Sequence, residues 1–123
     1  MTLKLLAAVV ALSVSAAAGA MPVQTFVSKA TALKSKGPLA LFSGDLKLLT
    51  AQVKSDFAQL RSERLAAKAA GRPPAFCPPG GGVKLSDTDV MNAMQAIPPA
   101  DRARTDTRDA LRLYMARRFP CRA

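Results

Sequence analysis

The chain has 123 residues, 18 Lys+Arg against 8 Asp+Glu, a formal charge of +10, and neither histidine nor tryptophan. Without an imidazole, Ser-His and Cys-His nucleophile systems are excluded, and two cysteines are too few for a thiolate metal site. The expectation is a non-enzymatic protein with no cofactor and no metal, sized for one domain with one modest core.

Residues 1–20 place Lys4 before an apolar stretch over residues 5–14 and end in small residues. Ala18-Gly19-Ala20 meets the small-x-small rule of signal peptidase, with Ala16-Ala17-Ala18 as a second such site. That order predicts a cleaved secretory leader over 1–20 and a periplasmic or secreted product beginning near Met21. The uncharged run over residues 5–20 is shorter than the ~20 apolar residues a bilayer span needs. No cysteine follows it to carry a lipid. Cleavage removes one lysine and no acid, leaving 17 Lys+Arg against 8 Asp+Glu in a domain over residues 21–123.

That domain reads as all-α, with helices over residues 23–36, 44–70, 87–97 and 106–118. In the first, Val23, Phe26, Val27, Ala30 and Leu33 recur at spacings of three and four. Gly37-Pro38 stops it, and residues 39–42 form an apolar turn. Ser43 is placed to cap the second helix. There Leu46, Leu49, Val53, Phe57 and Leu60 make one stripe, with Lys47, Lys54, Gln59 and Arg61 elsewhere. Gly71 ends that helix. The loop over residues 71–82 holds four prolines, a composition that admits neither helix nor central strand.

Ser86 with Asp89 three residues on is a variant capping box, so Asp87 and Asp89 read as first-turn acids rather than a catalytic carboxylate pair. Val90, Met91, Met94 and Ile97 form the third helix's apolar face, which fits core packing better than an adaptable methionine surface. Pro98-Pro99 ends it. Thr105 or Thr107 is expected to cap the last helix, whose apolar side carries Leu111, Tyr114 and Met115. Gly80-Gly81-Gly82 lacks the preceding strand and the following Lys-Ser/Thr of a phosphate loop.

Two cysteines in an exported chain predict one bridge, Cys77–Cys121. On the chain-entropy account, closing that loop stabilises the fold by about 4 kcal/mol.

The C-terminal half carries Cys77-Pro78, a capped amphipathic helix, a break at Ile97-Pro98-Pro99, a second amphipathic helix and a terminal Phe119-Pro120-Cys121. In this order it resembles the Rap/Tai family of type VI secretion immunity proteins. The likeness covers roughly residues 77–121; family members commonly carry further cysteines in the first half, where this chain has none. The resemblance implies a small, exported, helical, disulfide-bonded protein. Such a protein binds and blocks a secreted antibacterial effector in the periplasm, often as a homodimer.

The basic balance suits an acidic protein partner or an anionic envelope surface. The second gives an alternative reading, a cationic envelope-associated structural protein holding anionic lipid or polymer. Nucleic acid is not expected, because the few aromatics sit at core-like spacings and offer no stacking platform. Arg108 and Arg112 stand one turn apart, on a face expected to point away from Leu111 and Met115. They are the expected partner-binding pair, exposed guanidinium groups suited to bidentate grip on carboxylates.

Overall fold

Local signals set where each helix begins and ends. The computed structural model describes residues 19–122; the predicted leader, apart from Gly19 and Ala20, lies outside the described residues. The α-helices are α1 (Val23–Ser35), α2 (Gly44–Ala69), α3 (Asp87–Gln95) and α4 (Thr107–Arg118), and the described residues contain no strand. Short 3₁₀ turns occupy Gly37–Phe42 and Pro99–Asp101. The all-α expectation holds, with helix ends within two residues of those read from the sequence. None of the described helices is long and apolar enough to cross a membrane.

Three helix boundaries follow the predicted chemistry closely. The Ser43 hydroxyl accepts the Asp45 N–H at 3.3 Å and opens α2. At its far end Gly71 takes φ +69, and two N–H groups reach back, Gly71 to Lys68 O at 3.1 Å and Arg72 to Ala67 O at 2.8 Å. This doubly bonded ending needs a left-handed residue, which glycine supplies without strain. At α3 the capping box is complete, with Asp89 N–H donating to the Ser86 hydroxyl and Ser86 N–H to the Asp89 carboxylate.

The cap of α4 departs from expectation. Asp106, not Thr105 or Thr107, accepts the Asp109 N–H at 2.8 Å. Thr107 is unavailable because its hydroxyl points inward and donates to the buried Asp56 carboxylate at 2.6 Å.

Helix α4 packs on α2 and α3, and α1 lies across α2 and α3. Between them sits a core of Val23, Phe26, Leu33, Leu49, Leu60, Val90, Met94, Leu111 and Met115, joined by Phe76 from the proline-rich loop. The backbone entering α1 is stitched to the segment entering α4. Val23 N–H donates to Thr105 O, Gln24 N–H to Arg102 O, and Thr107 N–H to Met21 O, at 2.8 to 3.0 Å. The Cys77–Cys121 disulfide is present, and beside it Cys77 N–H donates to Phe119 O at 2.8 Å. The loop is thereby held against the end of α4.

Candidate binding groove

Helix α2 does different work on two faces about a quarter-turn apart. On one, Gln52, Asp56, Gln59 and Glu63 recur at helical spacing, and the last three bond α4 side chains. Asp56 is 2 % exposed and Thr107 is fully enclosed. Gln52 Nε2 donates to the second Asp56 oxygen at 3.0 Å, so both carboxylate oxygens are bonded. Burial raises the Asp56 pKa above 3.8, against the opposing pull of the Thr107 and Gln52 hydrogen bonds. The Arg112 guanidinium grips Glu63 through Nη2 at 2.9 Å and Nε at 3.2 Å and also bonds Asp109. Arg108 bonds the Gln59 side-chain oxygen, and its Nε lies 4.0 Å from Glu63.

The expectation of an exposed arginine face is therefore corrected. Arg108 and Arg112 are brought together, but their carboxylate grip closes on this chain's own α2. The bidentate chemistry is as expected; what supplies the carboxylate is Glu63, 49 residues away in sequence.

The other face of α2 is open. Leu49 and Leu60 are buried, but Leu46, Val53 and Phe57 are only partly covered. They form the floor of a groove of ≈ 1860 Å³ walled by α1, α3 and the 74–85 loop. Phe26 and Leu33 contribute from α1, Met91 from α3, and Val83 and Leu85 from the loop. The groove exists because α2 runs far longer than the elements laid against it, while the proline- and glycine-rich loop gives a wall without secondary structure.

Charge on this groove is one-sided. Its lining contains Lys34, Lys54, Arg61, Arg64, Lys68 and Arg72, against the single acid Asp87. Lys54, Arg61 and Lys68 are seven residues apart, a row of about 21 Å along α2. Among the described residues none of the six lies within ion-pair distance of a carboxylate; Arg64 instead stands over the Phe76 ring at 5.7 Å. Five of the acids are ion-paired elsewhere: Asp45 with Lys29, Glu63 and Asp109 with α4 arginines, Asp89 with Arg118, and Asp101 with Arg104. Six cations without an ion-pair partner thus stand where the apolar surface is open.

The paired-carboxylate alternative for Asp87 and Asp89 finds no arrangement to support it. Asp89 accepts from Ser86 N–H and from the Tyr114 hydroxyl at 2.9 Å, and these bonds hold its carboxyl down to about 2. Asp87 stands apart as a groove-wall residue. Of the two methionines, Met94 is in the core and Met91 lines the groove. Gly80, Gly81 and Gly82 are part of the loop wall. No group of three or more Cys, Asp or Glu side chains among the described residues is placed to hold a metal ion. Sequence reasoning located the apolar stripe of α2 but not its incomplete cover, and missed the Asp56–Thr107 contact. The heptad spacing of Lys54, Arg61 and Lys68 was the available signal for the rim.

Comparison with family models, with curated proteins and with solved structures returns no match for this chain.

Proposed function

We propose that the chain is an exported, non-enzymatic binding protein that captures an acidic amphipathic segment of another protein and blocks it by occupying it. One observation carries the reading: an open apolar groove lined by six cations and one acid. An apolar floor with a cationic rim selects a ligand with an apolar stripe and carboxylates along its edge. The groove exceeds the 300–1,000 Å³ usual for a small-molecule pocket. A three-turn helix, about 10 Å wide and 16 Å long, displaces roughly 1,250 Å³ and suits it better. Blockade of an effector in the periplasm is the role the Rap/Tai resemblance implies, and a helix-in-groove contact is a mechanism for it that needs no catalytic group.

The test is direct. A fluorescent 20-residue peptide with leucine on one helical face and glutamate along its edge should bind the folded protein. Affinity should fall about tenfold or more when Lys54, Arg61 and Lys68 are all changed to Glu, and should weaken with added salt. Equal binding by wild type and triple variant removes the groove as the site. A purified protein that instead carries a fatty acid or phospholipid in the groove overturns the protein-partner reading.

A further inference from the structure

The turn between α1 and α2 inverts the usual rule of burial. In Gly37–Phe42 the small Ala40 packs toward the core, while Leu39, Leu41 and Phe42 are 70 %, 72 % and 87 % exposed. Leu48, one turn into α2, is also exposed. Single exposed leucines are ordinary; three large apolar side chains within four residues, on a convex turn, are not. Gly37, at φ +58, and Pro38 fix the turn's entry, and Ser43 caps the helix that leaves it, so the three side chains are presented by a braced backbone.

The charge around the turn has one sign. Lys34 and Lys36 precede it and Lys47 follows it, all exposed. The one acid between residues 22 and 55 is Asp45, and it is bound to Lys29 at 3.1 Å. The three flanking lysines have no carboxylate within ion-pair distance among the described residues.

We propose that the Leu39–Leu41–Phe42 turn is a shallow membrane wedge, inserting into the headgroup boundary of an anionic bilayer while Lys34, Lys36 and Lys47 contact lipid phosphates. A convex tip of three side chains offers far less than the ~800 Å² per partner that a stable protein interface buries. A bilayer requires no matching cavity, and it accepts an apolar tip ringed by cations because lysine stems lie along the boundary with their ammonium groups in the headgroups. The wedge shares only Lys34 with the groove lining, and its apolar tip, Lys36 and Lys47 lie outside it, so variants at those positions test the wedge independently of the partner bound in the groove.

Sedimentation with vesicles tests it on the full folded protein. Wild type should bind vesicles of 70 % phosphatidylcholine and 30 % phosphatidylglycerol and leave pure phosphatidylcholine vesicles nearly empty. Leu41→Ser with Phe42→Ser should weaken binding about tenfold or more, and Lys36→Glu with Lys47→Glu by a similar factor. All four positions are exposed, so the melting temperature of each double variant should match wild type and serve as the folding control. Phe42→Trp gives a second readout: its emission should shift to the blue and be quenched by brominated acyl chains. Binding that ignores the Leu41/Phe42 change, or that is lost only with the Lys54/Arg61/Lys68 change, overturns the wedge. Self-association that Phe42→Ser abolishes, without vesicle binding, assigns the turn to a second copy and overturns it as well.

Discussion

The two faces of α2 have exchanged the roles their composition suggests. The polar face, Gln52, Asp56, Gln59 and Glu63, is bonded at each position, with Asp56 buried against α4 and Glu63 at the exposed edge of the contact. The apolar face, Leu46, Val53 and Phe57, is left half open. A polar stripe can pack against a neighbour when its groups find partners; Thr107, Arg108 and Arg112 supply them here, and among the described residues only the Arg108 Nε is buried without a hydrogen bond. An apolar stripe left uncovered costs stability on its own account, and that cost is offset only when something else covers it. The difference separates what holds the molecule together from what is left available for binding.

The largest expected effect is on the groove wall. Cys77→Ser should lower stability by about 4 kcal/mol on the chain-entropy account, measured by urea unfolding. Because that loss acts through the unfolded chain, hydrogen exchange should show the most protected amides of α2 and α4 losing protection along with those of the 72–85 loop; unchanged protection in α2 and α4 would mean that the bridge holds only the loop.

Next in size is the buried contact of the polar seam. Thr107→Val leaves one Asp56 oxygen without its donor and should cost about 1–3 kcal/mol. The pH dependence carries a sign. Because burial raises the Asp56 pKa above 3.8, the native state holds that proton more tightly than the unfolded chain. Its contribution therefore improves as pH falls from the raised value toward 3.8. Asp89, held at about 2, does the reverse: its stabilisation is complete above 3.8 and is lost as pH falls toward 2. Asp56→Asn removes the first contribution alone. Relative to wild type the variant should be most favoured at pH 7 and lose ground at pH 3, as read by paired urea melts.

Charge reversal at α4 ranks third. Arg108→Glu with Arg112→Glu places carboxylates against Glu63 and Asp109 and should destabilise by about 2 kcal/mol in thermal melts, well beyond the ~0.5 kcal/mol of a typical surface change. Adding Glu63→Arg should recover part of the loss. The smallest effect on stability belongs to the groove rim, where Lys54→Glu, Arg61→Glu and Lys68→Glu should each stay within about 0.5 kcal/mol while peptide binding falls.

Much of the frame was legible in the residues themselves. Ser43, Gly71 and the Ser86–Asp89 box act locally, through bonds spanning a few residues, and spacing reveals such bonds. The Cys77–Cys121 pairing followed from having two cysteines and one way to join them. The polar seam was not legible. Gln52, Asp56, Gln59 and Glu63 have the period of a solvated face, and only the docking of α4 decides otherwise. Arg108 and Arg112 were misread for the same reason, since their partner lies on another helix. The open groove had a readable floor but an unreadable roof, because a Pro/Gly loop has no periodicity from which its path can be derived. The exposed Leu39, Leu41 and Phe42 read as an apolar turn, and composition alone does not say whether such a turn faces in or out.

The stitching of residues 21–24 to residues 102–107 also dictates an order of assembly. The segment that opens α1 finds its backbone partners some 80 positions downstream, and the loop wall is locked only when Cys121 arrives. A chain emerging N-terminus first can form α1, α2 and α3 as local helices and pack α1 on the other two, but each lacks part of its final neighbourhood until α4 is free. Closing so long a span is entropically costly before its contacts form. Folding is therefore held back to a late cooperative step in which α4, the seam and the N-terminal stitch settle together. Until that step the polar seam of α2 lacks its α4 partners, beside apolar surface on α2 and on the 39–42 turn that stays open in the finished fold.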